Sequence, residues 1–169
     1  MKNLSEYIGQ ELILTQPKFL KREYELNFGE EQLMKINVAG FFGNSVLIET
    51  SIGNWEIYKE SIWRAGYSIR LKGRELPFAK YVKDKFKSSG TIELPRGQKL
   101  KIESNIWKGT YQLKNQAGTI LTTFNNKISF KEKMIIKIEN RSELLDTHPW
   151  LLILIWFIAL QRKQRAAAS

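Results

Sequence analysis

The stretch Pro149–Leu160 reads PWLLILIWFIAL, and nothing else in the chain is so apolar. A helix over it has no polar side, so it must be enclosed by protein or by lipid. Proline suits the first helical position, and the residue before a proline is biased away from helical geometry. A helix is therefore expected to begin at Pro149, after His148, with Asp146 or Thr147 helping to cap it. It should run over 149–165, where Arg162, Lys163 and Arg165 put positive charge at the dipole's negative end. Length then separates the two enclosures. Trp150 to Leu160 rises only about 16 Å at about 1.5 Å per residue, whereas a bilayer core needs ~30 Å. An anchor at this end would also have to carry Arg162, Lys163 and Arg165 across, against the usual charge bias. An in-plane anchor would need a polar face, which the run lacks. Burial inside the protein is the expectation, with Trp150, Leu151, Leu154, Ile155, Trp156, Phe157 and Ile158 as the helix core.

The rest of the chain reads as short strands. Tyr24, Leu26 and Phe28 alternate with polar residues, Gly29 breaks the run, and Met34, Ile36 and Val38 alternate next. Gly43-Asn44, Gly53-Asn54 and Lys72-Gly73 mark turns. Between and after them lie Val46–Ile48, Trp55 with Ile57, and Tyr67 with Ile69 and Leu71. Leu100 with Ile102, Tyr111 with Leu113, the run Thr119–Phe124, and Met134 with Ile136 and Ile138 complete the series. About eleven or twelve strands at this spacing suit a barrel or a sandwich. Glu75–Lys85 is open between a helical turn and an extended segment, because Pro77 interrupts it.

Sliding the chain by 44 residues superposes Phe42 on Phe86, Ser45 on Ser89, Ile48-Glu49 on Ile92-Glu93, and Gly53 on Gly97. The same offset carries Ile62-Trp63 onto Ile106-Trp107 and Tyr67 onto Tyr111, and a partial third copy starts near Phe130. Each copy would hold about four strands, so three would supply about twelve, a number one closed sheet can use. The recurring Ile-Trp pair is expected to pack into the core rather than to stack on a ligand.

The phrases TIELPRGQKLKIES and GTYQLKNQAGTI, followed by PWLLILIWFIAL, resemble the tubby-like barrel superfamily. That group includes tubby C-terminal domains, phospholipid scramblases and LURP-one-related plant proteins, and this chain is nearer its small bacterial and plant members in size. The resemblance covers roughly Leu12 to Arg165. It implies a mainly β fold: a closed antiparallel barrel of about twelve strands around a hydrophobic C-terminal helix. The expected organisation is one domain over 1–165, with 166–169 set aside as a tail.

Chemistry is sparse. There is no cysteine, and His148 is the one histidine, which leaves little material for a thiolate, a histidine–metal cluster or a serine triad. Phosphate-loop, dinucleotide, zinc-protease and nucleophile-elbow spacings are absent. The sequence therefore reads as non-enzymatic, with no catalytic residue, cofactor or metal expected. The N-terminal MKNLSEYIGQELILTQPKF has no uninterrupted apolar core, so no secretory signal is expected. A net charge of +10 favours anionic partners. The densest basic region supplies the candidate headgroup contacts Arg70, Lys72, Arg74, Lys80, Lys83, Lys85 and Lys87. Tubby-like relatives bind phosphoinositides or act at membranes through cationic positions, so the resemblance implies an anionic phospholipid surface as partner. The expectation is thus a monomeric lipid-binding module, cytoplasmic and peripheral at the membrane. The alternatives are a nucleic-acid-binding barrel, for which no RNA-binding phrase or recognition helix is present, and a protein anchored by its terminal helix.

Overall fold

Period-two alternation becomes twelve strands in the computed structural model, which describes residues 3–18, 20–40, 43–60, 66–85, 87–127 and 133–169. The strands are β1 Glu11–Thr15, β2 Glu23–Phe28, β3 Glu31–Ala39, β4 Ser45–Thr50, β5 Gly53–Tyr58 and β6 Gly66–Leu71. They continue as β7 Ala79–Lys83, β8 Gly90–Glu93, β9 Lys99–Asn105, β10 Thr110–Lys114, β11 Ile120–Lys127 and β12 Lys133–Ile138. Each pairs antiparallel with its neighbours in sequence, and β1 also pairs with β12, so the sheet closes into a barrel. Closure satisfies both edges at once and leaves no strand end open to further pairing. The register sets core residues opposite one another: Leu12 faces Ile136, Leu14 faces Met134, and Tyr111 faces Phe124.

Two helices follow, α1 Glu143–Thr147 and α2 Trp150–Ala167. From Trp150 to Leu160 every residue of α2 is buried, the most accessible being 5% exposed. These residues and the inward side chains of the strands form one apolar cluster. Aromatic pairs knit helix to wall: Tyr24 with Trp156 at 4.6 Å, Tyr67 with Phe157 at 5.2 Å, and Phe78 with Trp150 at 5.8 Å between ring centroids. Edge-on and tilted geometries of this kind add to simple burial. The helix core named from sequence (Trp150, Leu151, Leu154, Ile155, Trp156, Phe157, Ile158) lies wholly within this cluster. The length of the run now has a cause. Eleven helical residues rise about 16 Å, and a strand of ~17–20 Å tilted by about 35–45° to the barrel axis covers a comparable height, so the apolar segment suits the barrel it fills.

Several local expectations need correction. Of the two conformations open to Glu75–Lys85, the extended one holds over residues 79–83, strand β7, since Ala79 and Tyr81 point inward and alternate with exposed Lys80 and Val82. Strand β1 has the same alternation, with Leu12 and Leu14 buried. Leu71 ends β6 on the outside, 46% exposed. Neither Asp146 nor Thr147 caps α2. Asp146 accepts hydrogen bonds from the Ser5 backbone N–H and hydroxyl, tying α1 to the N-terminal turn. The Thr147 hydroxyl donates to the Glu143 carbonyl within α1. Beyond Arg165, Ala166 and Ala167 continue the helix.

The 44-residue offset acquires a structural meaning. It carries β4 onto β8 and β8 onto β12, a step of four strands around the ring. Ile48, Ile92 and Ile136 occupy equivalent inward positions and are fully buried. Tyr67 and Tyr111 match likewise on β6 and β10. The Ile62-Trp63 copy, Phe42, Phe86 and Phe130 lie outside the described residues.

Candidate anion-binding mouth

Because the apolar run is as long as the barrel is high, its first polar residues emerge at a rim. The Gln161 side-chain amide donates to the Gly43 carbonyl at 2.9 Å, and the Arg162 guanidinium donates to the Ser104 hydroxyl at 2.7 Å. Gly43 precedes β4 and Ser104 lies near the end of β9. This exit rim therefore holds the ends of the odd-numbered strands and the starts of the even-numbered ones.

A cleft of about 60 Å³ opens at this rim between α2 and strands β5 to β7. Lys59, Lys83, Arg162 and Arg165 line it together with Tyr67 and Tyr81, and Gly66, Ile158 and Gln161 complete it. Arg162 and Arg165 are three residues apart, so one helix face presents both. Among the described residues, none of those lining the cleft is acidic. Two of the four cations lie over tyrosine rings. Lys59 Nζ lies 6.0 Å from the Tyr67 ring centroid, and the Arg162 guanidinium carbon lies 5.7 Å from that of Tyr111. The Tyr67 and Tyr81 rings stack at 6.1 Å.

Like charge and burial leave their mark on the ionisable groups. Burial, and then the charge of Arg165, holds the Lys59 ammonium below its usual value. Burial raises the Tyr67 phenol, against the opposing pull of Arg165 and Arg162. Burial pushes the Tyr81 phenol up to about 12, again opposed by Arg162. A bound anion would relieve the repulsion between Lys59 and Arg165.

The Tyr81 shift has a testable sign. Its folded value lies above its ordinary 10.0, so the neutral phenol favours the fold. That contribution is fully present below pH 10 and is lost as pH rises through about 12. Denaturant titrations across this window should show wild-type stability falling more steeply than that of Tyr81→Phe, and equal slopes would contradict the assignment. Packing around Tyr81 is tight: a Cβ on Gly90 would run into its ring, and one on Gly66 would meet its carbonyl oxygen.

The sequence candidates divide between this mouth and the rest of the surface. Lys83 lines the cleft, and Lys85 and Lys87 are exposed in the β7–β8 connection at the same rim. Arg70, Lys72 and Arg74 lie at the other end of β6 and in the turn after it. Arg70 pairs with Glu56 at 2.7 Å and stacks on Tyr58, and Lys72 pairs with Glu49 at 3.2 Å. Lys80 sits 3.9 Å from Glu60. The seven residues do not share one face. Sequence reading did not include Lys59, Arg162 or Arg165 among the contacts. For Arg162 and Arg165 a signal existed, because the first cations after a barrel-filling helix have to sit at its rim. Lys59 has no such local signature.

The recurring Ile-Trp pair also departs from expectation. Ile106 is 63% exposed and Trp107 fully exposed, at the tip of the β9–β10 turn. The offset superposes strands, and here it superposes a turn whose side chains have no wall to face. Among the described residues, no group of three or more His, Cys, Asp or Glu could hold a metal ion. No helix among them is long and apolar enough to cross a membrane.

No family model matches the chain, and no curated protein matches it. Among solved structures, the fold is similar to the X-ray structure of protein AT5G01750 from Arabidopsis thaliana, with a TM-score of 0.63. That likeness covers 93% of this chain and 96% of the plant chain at 6% identity. At such identity it concerns the fold alone: a closed twelve-stranded barrel with a C-terminal helix.

Proposed function

We propose that this chain is a tubby-like barrel acting as a non-catalytic binding module, which docks on acidic phospholipid headgroups through its exit rim. The observation that carries this reading is the cleft itself. Lys59, Lys83, Arg162 and Arg165 converge on one small opening without a lining carboxylate, whereas Arg70, Lys72 and Lys80 each have an acidic neighbour. Cations that no lining carboxylate pairs with hold a positive potential that a phosphate or carboxylate headgroup can neutralise. Desolvation of Lys59 strengthens its interaction with any anion that enters. The similarity to the plant barrel supports the fold part of the proposal and is silent on the ligand.

Liposome flotation tests it. The protein should float with vesicles of phosphatidylcholine and phosphatidylserine in equal parts and stay behind with phosphatidylcholine alone. Raised salt should weaken the binding, because exposed charges are screened. Failure to float with either vesicle at any salt concentration would overturn the reading.

A further inference from the structure

We propose that the exit rim does more than adsorb to an acidic surface: Leu20 and the Ile106-Trp107 tip insert into the interfacial layer of the bilayer. This rests on the lipid reading above and adds the orientation and depth of docking. Leu20 is 91% exposed in the β1–β2 connection, and Ile106 and Trp107 are 63% and 100% exposed in the β9–β10 turn. Both connections open at the rim that carries the cationic cleft. In ring order only strands β11 and β12 lie between the two connections, so one plane laid across the mouth can meet both.

The turn does not need these apolar side chains. Lys108 N–H donates to Asn105 Oδ1 at 3.1 Å, Gly109 N–H donates to the Ile106 carbonyl at 3.2 Å, and Gly109 takes the positive φ of 62°. Backbone and Asn105 therefore hold the turn shape, and polar residues at 106 and 107 would serve it equally. The result is an ordered tip presenting an indole and a branched aliphatic to solvent, at a hydration cost the fold does not recover.

Charge identifies the occupant. Lys18 and Lys21 flank Leu20, and Lys108 follows Trp107. Tryptophan beside lysine suits the headgroup level of a bilayer, where the ring is half apolar and half hydrogen-bonded and the ammonium meets phosphate. The opposite rim also exposes Ile52 and Leu76, but there Glu75 precedes Leu76, and Lys72 is paired with Glu49. At the exit rim the apolar tips share their end of the barrel with a cationic cleft that no carboxylate lines.

The test uses the full chain and vesicles of phosphatidylcholine and phosphatidylserine in equal parts, with and without bromine on the acyl chains. Brominated chains should quench wild-type tryptophan emission, and Trp107→Phe should abolish most of that quenching. Ile106→Ser with Trp107→Ser, folded by circular dichroism, should still bind in a salt-sensitive way but with roughly tenfold or more weaker affinity. Wild-type binding without acyl-chain quenching, together with unchanged affinity of the double variant, would overturn insertion while leaving headgroup docking intact. Absence of all vesicle binding would overturn both. Quenching by a single-stranded oligonucleotide but not by brominated lipid would instead assign Trp107 to base stacking and overturn insertion.

Discussion

A chain cut after Pro149 is expected to lose the barrel altogether. The cut removes eleven consecutive buried residues and strips the inward faces of the strands of the surface they pack against. A single large-to-small substitution in a core costs about 2–5 kcal/mol, while a whole domain holds only about 5–15 kcal/mol. An empty lumen lined by Leu, Ile, Tyr and Phe cannot persist on that margin, nor can it simply fill with water. Strands that no longer close would then expose unpaired edges, so aggregation should accompany the loss. Far-ultraviolet circular dichroism and size-exclusion chromatography of the truncated chain check this. A soluble monomer that keeps a strand spectrum and unfolds cooperatively would show that α2 is an appendage.

The second large effect is expected at the mouth. Lys83→Glu with Arg165→Glu reverses two of the four cations lining the cleft. Neither side chain is part of the core, so the barrel should be unaffected. Each reversal changes the local charge by two units, and a cation near an acidic membrane contributes about 1 kcal/mol. The combined change of about 4 kcal/mol corresponds to roughly a thousandfold loss of vesicle affinity. Titration with phosphatidylcholine–phosphatidylserine vesicles measures it directly. Binding within a few-fold of wild type would move the site away from this cleft.

The architecture was legible because two periodicities carry it. Strict alternation in segments such as Met34-Lys35-Ile36-Asn37-Val38 fixes which face is inward. The unbroken apolar run Trp150–Leu160 has no polar face and is too short to span a bilayer, which places it inside the protein. Where alternation was short or mixed with turn residues, as at Ala79–Lys83, the strand could not be told from a helical turn. The site was much less legible, because charge in a sequence carries no record of its neighbours. Arg70, Lys72 and Lys80 look like Lys83 on the page, yet each meets a glutamate supplied by another strand or connection. Lys59 and Arg165 lie more than a hundred residues apart and meet only because α2 passes through the barrel and ends beside β5. Trp107 shows the converse error. Its repeat position suggested packing, but the turn between β9 and β10 holds it away from any wall.

An anionic surface is expected to meet the exit rim in particular, not any basic face of the protein. One vesicle-binding experiment addresses it, comparing two charge-matched double variants. Lys83→Glu with Arg165→Glu alters the mouth, and Lys72→Glu with Arg74→Glu alters the opposite end by the same amount. Both lower the net charge equally, so any general effect of charge cancels between them. Binding to phosphatidylcholine–phosphatidylserine vesicles should collapse for the first pair and stay close to wild type for the second. Equal losses, or a greater loss for Lys72→Glu with Arg74→Glu, would contradict docking at the exit rim.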